Sequence, residues 1–374
     1  MLEPVARDSL QLDEAIAELQ RFSLVRRHSD TNTLSVHRLV QAVLKDEMNE
    51  QTQQAWAERA VRAMNRGFPY AEFATWPDCQ RYLPHALECA VLIKQWNMVF
   101  AEAARLLHQA GSYLRHRAQY MEAEPLMKGA LAIYERVRGH DHLQTADSLV
   151  YLGLLYKNQG KYEQAEPLYQ RALAIYERVR GPDHPGTAMT LHNLGLLYDN
   201  QGQYEQAEPF YQRALTIREK TLGPDHPDTA TTLHNLGLLY DNQGQYEQAE
   251  PLYQRALAIF EQVRGPDHPD TAMTLHNLAN LYLDQGKYEQ AEPLYWRALT
   301  IREKALGPNH PSTASTLNNL GLLYKNQGKY EQAEPLYRRA LAIYEKMLGP
   351  DHPETVKVRK NYTDLLQKMK QKAE

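Results

Sequence analysis

Only two cysteines, Cys79 and Cys89, occur in 374 residues. No disulfide framework can staple the chain, and its thiols fit a reducing compartment as buried side chains. No stretch approaches the ~20 consecutive apolar residues of a membrane-spanning helix. The N-terminus lacks the ordered basic, apolar and small-residue regions of a secretory signal, which points to the cytoplasm. An excess of positive charge is missing too. Net charge is −4, and residues 1–100 hold 11 Lys and Arg against 13 Asp and Glu. Phosphate-backbone binding needs a basic surplus, so nucleic acid is disfavoured as a partner. Phenylalanine is scarce, 6 residues against 24 tyrosines. What remains, 43% apolar and 24% charged, is the composition of a folded soluble protein.

Repetition is what the chain has in abundance. Gly-Pro-Asp-His-Pro begins at Gly181, Gly223, Gly265 and Gly349, with Gly-Pro-Asn-His-Pro at Gly307 and a degenerate Gly-His-Asp-His at Gly139. The period is 42 residues, and residues 190–209 and 232–251 are identical. A fixed period of this size specifies a solenoid, whose units bury their apolar faces against their neighbours. Each unit reads as two helices. Helix A, over 187–200, carries Leu191, Leu194, Gly195 and Tyr198 at i, i+3, i+4 and i+7, one apolar stripe. Gly202 breaks the chain, and helix B runs from about Tyr204 with Ala207, Tyr211, Ala214 and Leu215 inside. Gly223 is suited to cap helix B in a left-handed conformation, and Pro224 stops its continuation. Pro227 fits the first turn of the next helix A, where its missing N–H is no loss.

Three columns, those of Tyr198, Tyr204 and Tyr211, account for 15 of the 24 tyrosines. Tyr suits helices that are half wet, because the ring packs while the hydroxyl reaches water or a carbonyl. Small residues at Gly153, Gly195, Gly237, Ala279 and Gly321, and at Ala165, Ala207, Ala249, Ala291 and Ala333, allow helices A and B to approach closely. A large side chain there is expected to cost roughly 1–3 kcal/mol. Pro167, Pro209, Pro251, Pro293 and Pro335 recur about five residues into helix B. Each either kinks the helix or marks a later true start.

The pattern Leu191, Leu194, Gly195, Tyr198, Ala207, Tyr211 and Ala214 resembles the tetratricopeptide repeat. Its 42-residue period and Asp-His-Pro linker resemble the kinesin-light-chain subtype. The resemblance spans about residues 103–346 as six units. The first is degenerate but keeps Leu107, Gly111, Tyr120, Ala123, Pro125 and Ala130 in register. It implies an all-α, right-handed superhelical solenoid whose A helices line a concave groove. After Pro353 a polar helix, with Val358, Tyr362, Leu365 and Met369 on one face, reads as the solvating cap.

Before the repeats, Asp13 opens a helix carrying Ile16 and Leu19, and Leu24-Val25 is extended. His28 to Thr33 is a turn, Leu34-Ser35-Val36 returns as a strand, and His37 to Leu44 starts another helix. That order is the tail of a winged-helix unit. Phe22-Ser23-Leu24-Val25 followed by Val36-His37-Arg38-Leu39-Val40-Gln41 resembles the segment after the nucleotide-binding module of NB-ARC/STAND signalling ATPases. Residues 51–100, with Trp56, Trp76 and Trp96, read as a helical connector. The expected organisation is therefore 1–50 partial winged helix, 51–102 connector, 103–352 repeats and 353–374 cap.

Catalytic chemistry finds little support. A phosphate-cradling loop needs Gly-x-x-x-x-Gly-Lys-Ser/Thr, yet Gly160-Lys161, Gly286-Lys287 and Gly328-Lys329 are each followed by Tyr. These read as turns, and no nucleotide or other cofactor is expected. The Asp-His pairs at Asp183-His184, Asp225-His226 and Asp267-His268 recur at repeat spacing, roughly 8–10 Å, too far apart to share a metal at ~2.1 Å. Capping is the better role. Cys79, His85 and Cys89 match no zinc spacing. The Glu column Glu166, Glu208, Glu250, Glu292 and Glu334 reads as a solvated face or an inter-repeat hydrogen-bond partner.

The residues expected to meet a partner lie on helix A, off its buried stripe. They are His192, His234 and His276; Asn193, Asn235, Asn277 and Asn319; Asp199, Asp241 and Asp284; and Asn200, Asn242, Asn280, Asn318 and Asn326. An asparagine offers both a donor and an acceptor, which suits a peptide backbone, or else bonds between neighbouring repeats. The family's carboxylate clamp would need Lys or Arg beside the Asn, and His or Asn stands there instead. The histidines, near pH 6.5 unless shifted, are expected to tighten binding of an acidic ligand as pH falls. The expectation is a non-catalytic scaffold for a protein or extended peptide, the sensor arm of a STAND-like bacterial signalling protein. A kinesin-light-chain-like cargo adapter, and a DNA-binding regulator using Arg26, Arg27 and Arg38 of the wing, are the alternatives.

Overall fold

The computed structural model describes residues 25–28, 33–36, 46–72 and 75–373. It divides into two units, Met1–His140 and Asp141–Glu374. In the first, β1 (Val25–His28) pairs antiparallel with β2 (Thr33–Val36), Val25 opposite Val36 and His28 opposite Thr33. The helices expected from Asp13 and from His37, and with them the winged-helix reading, lie outside the described residues. The connector is two helices. In α1 (Glu50–Gly67) the Asn49 side chain caps the first turn, accepting from the Thr52 N–H at 2.9 Å. In α2 (Trp76–Gln95) Cys79, Ala86, Cys89 and Ile93 are buried on one face. A first A/B pair follows, α3 (Ala101–His116) and α4 (Tyr120–Arg138). A Cβ on Gly111 would lie 2.8 Å from the Met127 side chain, so the small residue expected there is required by close packing.

The second unit stacks five more pairs. Its A helices are α5 (Leu143–Asn158), α7 (Pro185–Asn200), α9 (Pro227–Asn242), α11 (Pro269–Asp284) and α13 (Pro311–Asn326). Its B helices are α6 (Tyr162–Arg180), α8 (Tyr204–Thr221), α10 (Tyr246–Val263), α12 (Tyr288–Leu306) and α14 (Tyr330–Leu348), and α15 (Pro353–Ala373) closes the stack. The linker explains how each A helix starts. Histidine is the N-cap: Nδ1 of His142, His184, His226, His268 and His310 accepts the backbone N–H two residues on at 3.0–3.1 Å. That bond satisfies one of the orphan amides of the first turn. Capping, expected of the Asp-His pairs, thus falls to the histidine. Two of the aspartates instead hold helix B of their own repeat, Asp183 pairing with Lys220 and Asp267 with Lys304.

Two local expectations are resolved. Helix B starts at Tyr204, Tyr246, Tyr288 and Tyr330 and runs through its proline, so the proline does not mark a later start. Gly181, in the column of Gly223, does take a positive φ of 92°, but with ψ 167°. At Gly181 this is not the left-handed helical geometry expected of Gly223, whose own φ is 101°. It is the extended region at positive φ that only glycine enters without strain, and it turns the chain from helix B into the linker.

Packing follows the small columns. A Cβ on Gly153, Gly195, Gly237 or Gly321 would sit 2.7–3.1 Å from the ring of Tyr169, Tyr211, Tyr253 or Tyr337, and these tyrosines are fully buried. The Tyr198 column reaches a carboxylate rather than water. Tyr198, Tyr240, Tyr282 and Tyr324 donate to Glu166, Glu208, Glu250 and Glu292 of the preceding helix B at 2.6–2.8 Å. The Glu column is therefore an inter-repeat hydrogen-bond partner. Tyr362 continues the series onto Glu334 at 2.8 Å, which seats the cap helix. Successive A helices touch. Successive B helices are spanned instead by long pairs, Arg213–Glu177, Arg255–Glu219, Arg297–Glu261 and Arg339–Glu303, at 2.5–2.6 Å. Within this unit the stack therefore bends with the A helices on the inside.

Candidate functional site

Two stripes of α7 remain once Leu191, Leu194, Gly195 and Tyr198 are packed. One contains His192 and faces the next A helix. The other runs through Met189, Asn193, Leu196 and Asn200, at the helical spacing of one face.

The first stripe corrects an expectation. His192, His234 and His276 are 7%, 2% and 6% exposed and lie edge-on to Tyr211, Tyr253 and Tyr295 with ring centroids 5.5–5.6 Å apart. Asn235 and Asn277 donate to Nε2 of His192 and His234 across the repeat boundary at 3.2 Å. That leaves the proton on Nδ1, which bonds Thr274 from His234 at 3.1 Å and approaches Thr232 from His192 at 3.5 Å. Buried arginines explain the difference. Arg218 donates to Thr232 at 2.6 Å and Arg302 to Thr316 at 2.7 Å, competing for the same hydroxyl, and Nδ1 of His276 has no hydrogen-bond partner. Phe260 stands in the same column before Thr274 and competes for nothing. Burial pushes the imidazoles down, His234 to about 4 and His276 to about 3. They are neutral at pH 7, so these imidazoles do not supply the expected tightening of an acidic ligand near pH 6.

The asparagines divide. Asn193 and Asn318 are buried. Asn318 donates to Asn319 at 2.9 Å and accepts from Asn361 of the cap helix at 3.0 Å. Asn319 donates to Asn280 at 2.8 Å, and Tyr295 donates to the same Asn280 oxygen at 2.6 Å. These side chains bond repeat to repeat because adjacent A helices lie close enough to touch. Asn200, Asn242, Asn326 and Asp284 are exposed, and Asp199 and Asp241 are half-buried. Beside them Leu196, Leu238 and Leu322 are half-exposed on the inner face, a column that the sequence reading passed over. Its signal was the second leucine of Gly-Leu-Leu-Tyr, one position off the packed stripe.

Electrostatics distinguish the centre of this face from its ends. Desolvation pushes the Asp199 and Asp241 carboxyls up to about 6, with the Asp284 charge adding to the effect on Asp241, and burial raises Asp284. The equivalent positions before and after are Lys157 and Lys325. The surface can accept hydrogen bonds, attract cations and hold apolar side chains. Among the described residues no group of three His, Cys, Asp or Glu is placed to hold a metal ion, and no helix is long and apolar enough to cross a membrane. In the first unit Cys79 and Cys89 are buried free thiols, Cys89 pushed up to about 11 by burial, and His85 is exposed away from them. That unit also holds an apolar groove of about 550 Å³ lined by Leu87, Val91, Met98, Leu107, Pro125 and Ile133.

The family model described as tetratricopeptide repeat matches residues 102–166, 148–220, 200–262, 242–304, 275–346 and 312–374. The chain belongs to the tetratricopeptide repeat family. Residues 2–53 of this tetratricopeptide protein match a second model, described as a domain of unknown function (DUF7779). A nucleotide-binding leucine-rich repeat (NLR)-like protein of Hyaloscypha variabilis is 35% identical over 154 residues, 40% of this chain and 15% of that protein. The chain thus spans about 15% of the length of this relative. Among solved structures, BtubC (BKLC) from P. vanneervenii is 27% identical with a TM-score of 0.53, covering 63% of this chain and 93% of that one. Kinesin-light-chain-type repeats from Podosopora anserina, nearly identical to one another, are 26% identical with a TM-score of 0.49, covering 55% and 98%.

Proposed function

We propose that this tetratricopeptide protein is a non-catalytic scaffold that holds an extended segment of a partner protein along the inner face of helices α5, α7, α9, α11 and α13. The observation that carries the reading is the repeated inner stripe. Half-exposed leucines alternate with exposed Asn200, Asn242 and Asn326 on α7, α9 and α13, one apolar and one polar contact each, with Asn280 and Asp284 in those places on α11. Such a surface holds an extended chain at periodic points, since successive A helices stand roughly 8–10 Å apart and three extended residues span about 10 Å. The test is selection of twelve-residue random peptides on phage against the full chain, repeated against Leu196→Trp/Leu238→Trp. Clones that lose binding to the tryptophan variant, shown folded by circular dichroism, support the reading. Clones indifferent to it place binding elsewhere and overturn it.

The nucleotide-binding relative favours a finer version, in which these repeats are the sensing arm of a STAND-like signalling protein. The chain has no phosphate-cradling motif of its own, so the nucleotide module of that protein lies outside these residues. Intact-mass analysis of the native gene product tests this. A larger protein carrying such a module is expected, and a native product of these 374 residues alone contradicts it.

A further inference from the structure

The inner face carries negative charge that nothing in the structure neutralises. Asp199 and Asp241 occupy equivalent positions on α7 and α9, and Asp284 lies on α11 one residue past the next equivalent, Leu283. None of the three carboxylates forms an ion pair among the described residues, and no cation is among the influences on any of them. The hydroxyls beneath Asp199 and Asp241 are poorly satisfied as well. Tyr211 is fully buried, and its hydroxyl makes only a weak contact with Asp199. Tyr253, also fully buried, contacts Asp241 only at 3.4 Å. Half-buried carboxylates above under-bonded hydroxyls are costly unless a donor arrives from outside.

We infer that the central inner face takes an extended segment carrying Lys or Arg at every third residue, with apolar side chains between them resting on Leu196 and Leu238. The inference rests on the inner-face reading above and adds the chemistry of the occupant. One repeat of advance along the face matches three residues of extended chain, which brings successive cations over Asp199 and Asp241 and the next toward Asp284. Lys157 on α5 and Lys325 on α13 bound the acidic stretch. They limit it to about three contacts and disfavour a longer polybasic run.

The pH dependence has a defined direction. Asp199 is faced by Tyr211 of α8, with Lys157 one repeat before it, and Asp241 by Tyr253 of α10 and Asp284 of α11. Both tyrosine hydroxyls are pushed well above their usual range and stay neutral, so the carboxylates alone titrate. Protonation as pH falls from 7.5 to 5 removes the anion and weakens binding of a cationic segment.

The probe is a fluorescein-labelled nonapeptide of three Leu-Arg-Ser units, measured by anisotropy with the full chain at pH 7.5 in 50 mM salt. Matched peptides replace Arg by Glu, or place the arginines at every second residue. Asp199→Asn or Asp241→Asn is expected to weaken the Leu-Arg-Ser peptide about tenfold and the double variant about a hundredfold, as for loss of charge-assisted hydrogen bonds. The matched peptides are expected to bind at least tenfold more weakly. These variants keep the fold, because Leu283 and Lys325 occupy the same position in later repeats, and Asp241→Leu repeats the test with a residue the array already uses. Unchanged affinity in the double variant, or equal binding of the Glu peptide, overturns the inference. The phage selection separates the two proposals. Clones blocked by Leu196→Trp/Leu238→Trp but lacking spaced cations overturn this inference and leave the inner-face reading standing, whereas the absence of blocked clones overturns both.

Discussion

Acid should destabilise this array through its three buried histidines, and the size of the effect follows from their burial. A histidine that ionises near 6.5 when unfolded and near 4 when folded, as His234 does, binds fewer protons in the native state. Its contribution is intact above pH 6.5 and is lost progressively as pH falls from there toward 4. At pH 5.5 the loss is about 1.4 kcal/mol for each such group. His276 is shifted further, to about 3, so these two together lose about 3 kcal/mol, and His192, lowered well below its usual value by burial, adds to the loss. Asp199 and Asp241 act in the opposite sense. Their folded values, about 6, lie above the unfolded carboxylate value, so they gain stability as pH drops through 6. Solvent screening at these half-exposed sites holds that gain below about 1 kcal/mol each. The perturbation is His192→Asn/His234→Asn/His276→Asn, which copies Asn318, the residue already at this position in α13. The capping imidazoles, including His352, which accepts from the Glu354 N–H at 3.2 Å, remain in both proteins, so the difference between the two pH responses isolates the buried three. Thermal midpoints by circular dichroism at pH 7.5 and 5.5 are expected to differ less in the variant than in the wild type, by roughly 10 °C. Equal differences in both proteins would refute the reasoning.

The remaining predictions test packing and capping. Gly153→Ala, whose Cβ would stand 2.7 Å from the Tyr169 ring, is expected to cost about 1–3 kcal/mol. Gly237→Ala, at 3.1 Å from Tyr253 and with Ala279 as a natural precedent, is expected to stay within about 0.5 kcal/mol of wild type, since helix propensity favours alanine; urea midpoints decide the order. His226→Ala is expected to lose about 1 kcal/mol by removing the acceptor for the Asp228 N–H, and His226→Asn to recover most of it. In-frame removal of residues 210–251, one full period, should leave a folded helical protein with a lower thermal midpoint because one interface is lost. Global unfolding after that deletion would contradict nearest-neighbour stability.

The helix pairs were legible because glycine, proline and the Leu-x-x-Leu-Gly-x-x-Tyr stripe each have local meanings that agree at the same positions. Gly195 against Tyr211 is such a case: a small residue on one helix and a large one on the next specify their close approach. The linker histidines were legible as caps through their place before Pro185, Pro227, Pro269 and Pro311. The site was less legible. Whether a polar residue next to the packed stripe faces ligand or the next repeat depends on a rotation of one position, about 100° of helix. His192 and Asn235 look alike on one helix, and only stacking shows that they bond each other across the boundary. The leucines at 196 and 238 were hidden for the converse reason, since an apolar residue beside a core stripe reads as core. Burial of Asp199 and Asp241 depends on neighbouring repeats and has no sequence signature.

The central claim is that the inner face of the A helices is where a partner lies. Hydrogen exchange of the full chain with and without a saturating phage-selected peptide tests it most directly. The account predicts added protection confined to α7, α9 and α11, strongest around Leu196 to Asn200 and Leu238 to Asn242. Protection confined to α8, α10 and α12 would place the partner on the outer face and contradict it.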